Sequence, residues 1–170
     1  MSDDMLFTDG LPVEDANSGY RGANAAAAAG ISYRQLDYWA RTGLVQPTVQ
    51  NAQGSGSQRL YSFRDILVLK LVKRLLDTGV SLQQIRNAVE RLRETGVEDL
   101  AKITLMSDGA SVYLCTSQDE VIDLLGQGQG VFGIAVGSVW RELESSLTEL
   151  GPEQLTSVDE LAAKRARRSA

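Results

Sequence analysis

Residues 32–44, Ser32-Tyr33-Arg34-Gln35-Leu36-Asp37-Tyr38-Trp39-Ala40-Arg41-Thr42-Gly43-Leu44, set the fold. Ser32 can accept a bond from the first free N–H groups of a helix, so a helix is expected from Tyr33 to about Thr42. Gly43 stands just past its end, where a left-handed residue commonly closes a helix. Leu36, Trp39 and Ala40 share one face, while Arg34, Asp37, Tyr38 and Arg41 fall largely on the rest.

Upstream, Tyr20 to Ala29 (YRGANAAAAA) is expected as a short alanine-rich helix with Asn24 as N-cap and Gly30 as its stop. Two helices joined by a tight, glycine-containing turn make a helix-turn-helix. Downstream, residues 44–61 hold Pro47, a Gly/Ser-rich loop and a strand-like end, which together read as a two-stranded wing. Ser62 is placed to cap a strongly apolar helix from Phe63 to Thr78, stopped by Gly79. Ser81 and Gln84 have the spacing of a capping box, opening a helix to about Thr95 with Ile85, Ala88, Val89 and Leu92 inward.

Beyond Gly96 the pattern changes. Strands are expected at 103–106, 111–116 and 131–136, with a turn at Ser107-Asp108-Gly109-Ala110, and helices at 118–125 and 138–150. This gives a mainly α chain with an α+β part. The expected divisions are an acidic disordered tail at 1–19, the winged helix-turn-helix at 20–95, a small α+β module at 96–150, and a flexible tail at 151–170 with a basic end.

The 170 residues suit one ordinary domain or two small ones. One cysteine, Cys115, excludes an internal disulfide, and the absence of histidine excludes His-based triads and His-ligated zinc. No apolar run is long enough for a membrane span, and the acidic N-terminus lacks the basic region of a signal peptide. The net charge of −5 hides an asymmetry. Residues 20–93 carry eleven basic and four acidic side chains, a net +7, whereas 94–163 carry two and thirteen, a net −11. Exposed charges are screened over about 8–10 Å, so the local sign decides the partner. Gly128 to Gly133 spells G-x-G-x-x-G, but a helix precedes it and a strand-like run overlaps its last glycine, the reverse of a dinucleotide site. Cys115 lies in an apolar strand and is expected as a buried thiol.

Residues 32–44 resemble the recognition-helix motif of MerR-type transcriptional regulators: Arg34, Leu36, Tyr38, Trp39, Gly43 and Leu44 stand where that family carries Arg-x-Leu-x-Tyr, an aromatic residue and Gly-Leu. Pro47, the segment Ser57-Gln58-Arg59-Leu60-Tyr61-Ser62, Lys73-Arg74-Leu75, and Thr78 through Ile85 match further family motifs in order and spacing, and the variants look like an actinobacterial subgroup. Asp37 departs from the family, which usually has arginine there. A carboxylate near phosphates is costly, so Asp37 is expected to pair with Arg34 or Arg41, or to accept from a cytosine amino group.

The resemblance implies a cytoplasmic, sequence-specific DNA-binding transcriptional regulator and not an enzyme. The helix at about 33–42 would enter the major groove, and the wing at about 45–61 would lie on the backbone. The expected DNA-contacting residues are Tyr20, Arg21, Tyr33, Arg34, Gln35, Tyr38, Arg41 and Arg59. Arg34 would reach a guanine edge or a phosphate, Gln35 an adenine, and Arg59 the neighbouring phosphate or minor groove. Expected partners are double-stranded promoter DNA, a second copy bound through about 96–150, and RNA polymerase, with no membrane, metal or cofactor. The family's long dimerisation helix has no counterpart, since the heptad pattern stops at Gly96. The alternatives are an architectural, excisionase-like DNA-binding factor without effector sensing, and a protein-interaction adaptor that uses the acidic half.

Overall fold

The alanine-rich run after Tyr20 forms a helix, but a strand precedes it. The computed structural model describes residues 18–51, 58–126, 132–150 and 155–169. The chain divides into two units, Met1–Ile66 with Leu143–Ala170, and Leu67–Glu142.

In the first unit, strand β1 (Ser18–Arg21) leads into helix α1 (Gly22–Ala29). Arg21 occupies the N-cap with no side-chain cap bond, and Asn24, expected there, lies inside the helix. The helix starts at Gly22, later than the expected Tyr20 and ahead of the Asn24 cap, because Tyr20 and Arg21 are held extended in a sheet. Gly30, at φ 75°, closes α1 and accounts for the sharp turn. Helix α2 (Tyr33–Arg41) follows, with Leu36, Trp39 and Ala40 buried as expected. Gly22 lies where a Cβ would come within 3.0 Å of the Tyr33 ring and 3.2 Å of Leu36, so its bare backbone lets α1 and α2 approach closely.

Strand β2 (Leu60–Tyr61) ends the wing. Gln50 and Leu60 exchange both backbone hydrogen bonds, at 3.2 and 2.8 Å, which confirms a two-stranded pairing at the wing's root. The loop at 52–57 lies outside the described residues. Helix α3 (Phe63–Asp77) begins here, and helix α7 (Val136–Leu150) ends here.

Residues 155–169, expected from sequence as part of a polar tail, form strand β6 (Leu155–Ser157) and helix α8 (Val158–Ser169). The sheet order is β2-β1-β6, antiparallel throughout, with Tyr20 opposite both Tyr61 and Leu155. Gly19 sits opposite Thr156, and a Cβ there would come within 2.9 Å of the Tyr61 carbonyl oxygen. Only glycine lets the strands close at that point. Tyr20 and Tyr61 are buried in this sheet, and burial raises both phenol pKa values.

The second unit holds the rest of α3, helix α4 (Leu82–Glu94), the short α5 (Val97–Leu100), and strands β3 (Thr104–Ser107), β4 (Val112–Cys115) and β5 (Phe132–Ala135). The strands form an antiparallel sheet in the order β4-β3-β5, close to the expected spans. Asp108 Oδ1 accepts from the N–H groups of Ala110 and Ser111 at 2.9 and 2.7 Å, which fixes the β3–β4 turn. Helix α6 (Gln118–Gly126) and helix α4 both pack on β4. Ile85, Leu92, Ile103, Leu105 and Val139 are buried, as is the thiol of Cys115. Helix α4 stops at Thr95 instead of extending, as the break at Gly96 indicated. The residues around Gly128–Gly130 lie outside the described residues. The chain is thus mainly helical with two small antiparallel sheets, and no described helix is long and apolar enough to cross a membrane.

Candidate nucleic-acid interface

Helix α2 owes its position to its two ends. At the N-terminus Ser32 Oγ accepts from Gln35 N–H at 3.1 Å, and Gln35 Oε1 accepts from Ser32 N–H at 3.3 Å. This complete capping box satisfies donors that would otherwise be orphaned in the first turn. At the C-terminus Thr42 N–H donates to the Tyr38 carbonyl, and Leu44 N–H to the Trp39 carbonyl, both at 3.0 Å. The apolar stripe faces inward, and the opposite face is left to solvent.

That outer face carries Tyr33 at 59% exposure, Arg34 exposed, Tyr38 at 55%, and the Arg41 side chain at 64%. Arg34, Tyr38 and Arg41 stand four and three residues apart, so they form one stripe along the helix. Among the described residues, no hydrogen bond or ion pair holds the Arg34 side chain.

Asp37 sits within this face, and its carboxylate is doubly paired. Oδ2 accepts from Arg41 Nε at 2.9 Å, and Oδ1 accepts from Arg59 Nη1 at 2.7 Å. The Arg59 hydrogen bond holds the carboxyl below the usual carboxylate range; desolvation opposes this, and the charge and hydrogen bond of Arg41 add to the lowering. Of the partners expected for Asp37, Arg41 is present. Arg59, from the wing's root, is a second partner that the sequence spacing does not signal.

The other expected contact residues fall elsewhere. Tyr20 is 5% exposed, a core residue of the sheet and not a surface group, because its register opposite Tyr61 turns it inward. Arg21 and Arg59 are half-buried, each with a buried Nε lacking a hydrogen-bond partner among the described residues. Arg59 is committed to Asp37, and its side chain is only 16% exposed. Gln35 spends its carbonyl oxygen on the cap, which leaves its amide N–H groups as donors. The structure therefore brings Tyr33, Arg34, Tyr38 and Arg41 together on one open surface and sets Tyr20, Arg21 and Arg59 behind it.

One structural residue escaped sequence reasoning. Asp65, 6% exposed, accepts through Oδ2 from Thr48 N–H and Thr48 Oγ1, both at 2.8 Å, and from Ser62 N–H at 2.9 Å. Asp65 N–H donates to Ser62 Oγ at 3.0 Å, so Ser62 does cap α3. The carboxylate ties the wing's first arm to the residue that follows the wing, the cap of α3. The signal available was Ser62 followed three residues later by an acid, a variant of the capping-box spacing.

A tight-turned helix pair whose second member is open to solvent, flanked by a strand-rooted wing, defines a winged helix-turn-helix domain. The family model for the MerR HTH family regulatory proteins matches residues 20–92. An uncharacterized HTH-type transcriptional regulator of Mycobacterium tuberculosis is 60% identical over 158 residues, 93% of this chain and 70% of the relative, and one from Mycobacterium bovis matches equally. The HTH-type transcriptional regulator HmrR of Sinorhizobium medicae is 30% identical over 83 residues, 48% of this chain and 54% of its own length. The chain belongs to the MerR family of helix-turn-helix transcriptional regulators.

Proposed function

We propose that this regulator binds promoter DNA by laying the outer face of α2 in the major groove, with Arg34 reading a base edge and Tyr33, Tyr38 and Arg41 meeting the backbone. The observation that carries this is the solvent-exposed stripe of two tyrosines and two arginines on a helix capped at both ends. A groove about 12 Å wide admits such a helix, and phosphate contacts supply affinity while base contacts supply specificity. The wing follows the adjacent backbone, with Arg59 serving first as the strut that holds it to α2. Tyr20 and Arg21 support the sheet behind.

The division of labour follows the sequence: residues 20–95 bind DNA, and 96–150 bring two copies together on paired half-sites, the geometric default for such proteins. The reading implies a cytoplasmic, non-enzymatic protein that meets RNA polymerase at promoters and needs no cofactor. The test is in vitro selection from a random duplex library, followed by titration of the enriched duplex against salt. Enrichment of a palindromic site and a steep fall in affinity with salt are expected. Binding as a monomer to direct repeats supports the excisionase-like alternative, and no salt-dependent binding supports a protein adaptor.

A further inference from the structure

Resting on the reading that α2 binds DNA, we propose that Asp37 is a specificity-determining positioning residue: it clamps the wing to α2 and withholds Arg41 and Arg59 from phosphates except in the correct docking register. The clamp joins residues 22 positions apart in sequence at 2.7 Å, and residues one helical turn apart at 2.9 Å. Asp37 is 34% exposed in a surface otherwise built of Tyr33, Arg34, Tyr38 and Arg41. It therefore lies where phosphates approach.

Two consequences follow from the charges. Bare guanidinium groups bind any duplex backbone, because released counterions favour phosphate contact regardless of sequence. A carboxylate held between them cancels one of those charges and repels any phosphate that drifts into the wrong position. Discrimination against unwanted partners commonly rests on such a repulsive element. The second consequence is geometric. Arg59 is mostly buried and cannot follow a misplaced phosphate without leaving Asp37. The position of the wing's root against α2 is thereby set before DNA arrives, so less ordering remains to be done on binding.

The test uses the full chain, the duplex it enriches from a random library, and a scrambled duplex of equal length and composition. In Asp37→Asn, binding to the scrambled duplex should tighten and its dependence on log salt should steepen by about 1 for each phosphate newly contacted. The ratio of selected to scrambled affinity should fall at least five-fold. Asp37→Glu, which keeps a carboxylate within reach of both arginines, should recover most of the ratio. Arg59→Gln should lower the ratio without steepening the salt dependence, because it breaks the clamp while removing a cation. A merely structural role would weaken both duplexes alike and leave the salt dependence unchanged, and that result overturns the proposal, as does an unchanged ratio in Asp37→Asn. If the unaltered protein shows no salt-dependent binding at all, the parent reading fails and the clamp's role with it.

Discussion

Replacing Asp65 tests how the wing is held. Its Oδ2 alone receives three hydrogen bonds, from Thr48 N–H, Thr48 Oγ1 and Ser62 N–H. Asp65→Ala removes the acceptor and leaves two backbone N–H groups stranded beside a site that is 6% exposed. Each stranded donor costs about 1–3 kcal/mol, less whatever water can repair. Loss of the acceptor for the Thr48 hydroxyl adds little, since that group can turn to solvent or toward Ser62 Oγ at 3.4 Å. The sum is about 3–4 kcal/mol, near the upper end for a single substitution. Asp65→Asn can place its amide oxygen where Oδ2 stood and keep all three bonds as neutral ones. Neutral bonds are roughly half as strong as charge-assisted ones, so about 1–1.5 kcal/mol is expected. With a urea dependence of about 2 kcal/mol per molar, the alanine variant should lose about 1.5–2 M in midpoint and the asparagine variant about 0.5–0.8 M. The assay is urea unfolding followed by circular dichroism at constant slope. Equal losses in the two variants, or a loss below about 1 kcal/mol in the alanine variant, would refute the three-bond tether.

Other outcomes are expected alongside. Arg34→Ala should weaken binding to the selected duplex by about 1–3 kcal/mol while changing scrambled-duplex binding far less, measured by fluorescence anisotropy; an equal loss on both would make Arg34 a phosphate contact instead. Ser32→Ala should cost about 1 kcal/mol by loss of the cap that Gln35 N–H uses, and an unchanged thermal midpoint would contradict the capping role. Gly137→Ala should destabilise the second unit, because its Cβ would come within 2.6 Å of the Ala101 carbonyl oxygen; a variant as stable as the parent would show that the α7 start can shift. Asp37, Asp108 and Glu142 all have lowered carboxyl pKa values. In Glu142, burial opposes the shift and the hydrogen bond and charge of Arg74, with Lys70, outweigh it. Each group therefore adds stability that is present above its unfolded pKa and is lost as pH falls through its lowered folded value. With no histidine in the chain, stability should stay level between about pH 5 and 8 and decline below about pH 4. A transition near pH 6.5 would contradict this assignment.

Local signals made much of this architecture legible. The period of Leu36, Trp39 and Ala40, the Ser32 cap and the Gly43 stop placed α2 within a residue, and the same kinds of signal placed α3, α4 and the strands of the second sheet. Pairings between distant segments were not legible. Tyr20 and Arg21 read as the start of a helix because the alanines after them dominate any short window. Their strand exists only because Tyr61 and Leu155 lie beside it. Helix α8 lies in a polar stretch that reads as a tail, although Ser157-Val158-Asp159-Glu160 spells a capping signature and Glu160 N–H does donate to Ser157 Oγ at 3.1 Å. At the candidate interface, the i to i+4 pair of Asp37 with Arg41 could be anticipated from spacing. Arg59 could not, because its partner is set by where the wing folds back.

In the proposed function α2 meets duplex DNA through cationic contacts, and the salt dependence of binding tests this most directly. If Arg34 and Arg41 of each of two copies release counterions, the logarithm of the association constant should fall with the logarithm of salt with a slope of about −3 to −4, and Arg34→Ala with Arg41→Ala together should flatten it by most of that amount. A slope near zero in the unaltered protein, or one that survives both substitutions, would place the binding surface elsewhere.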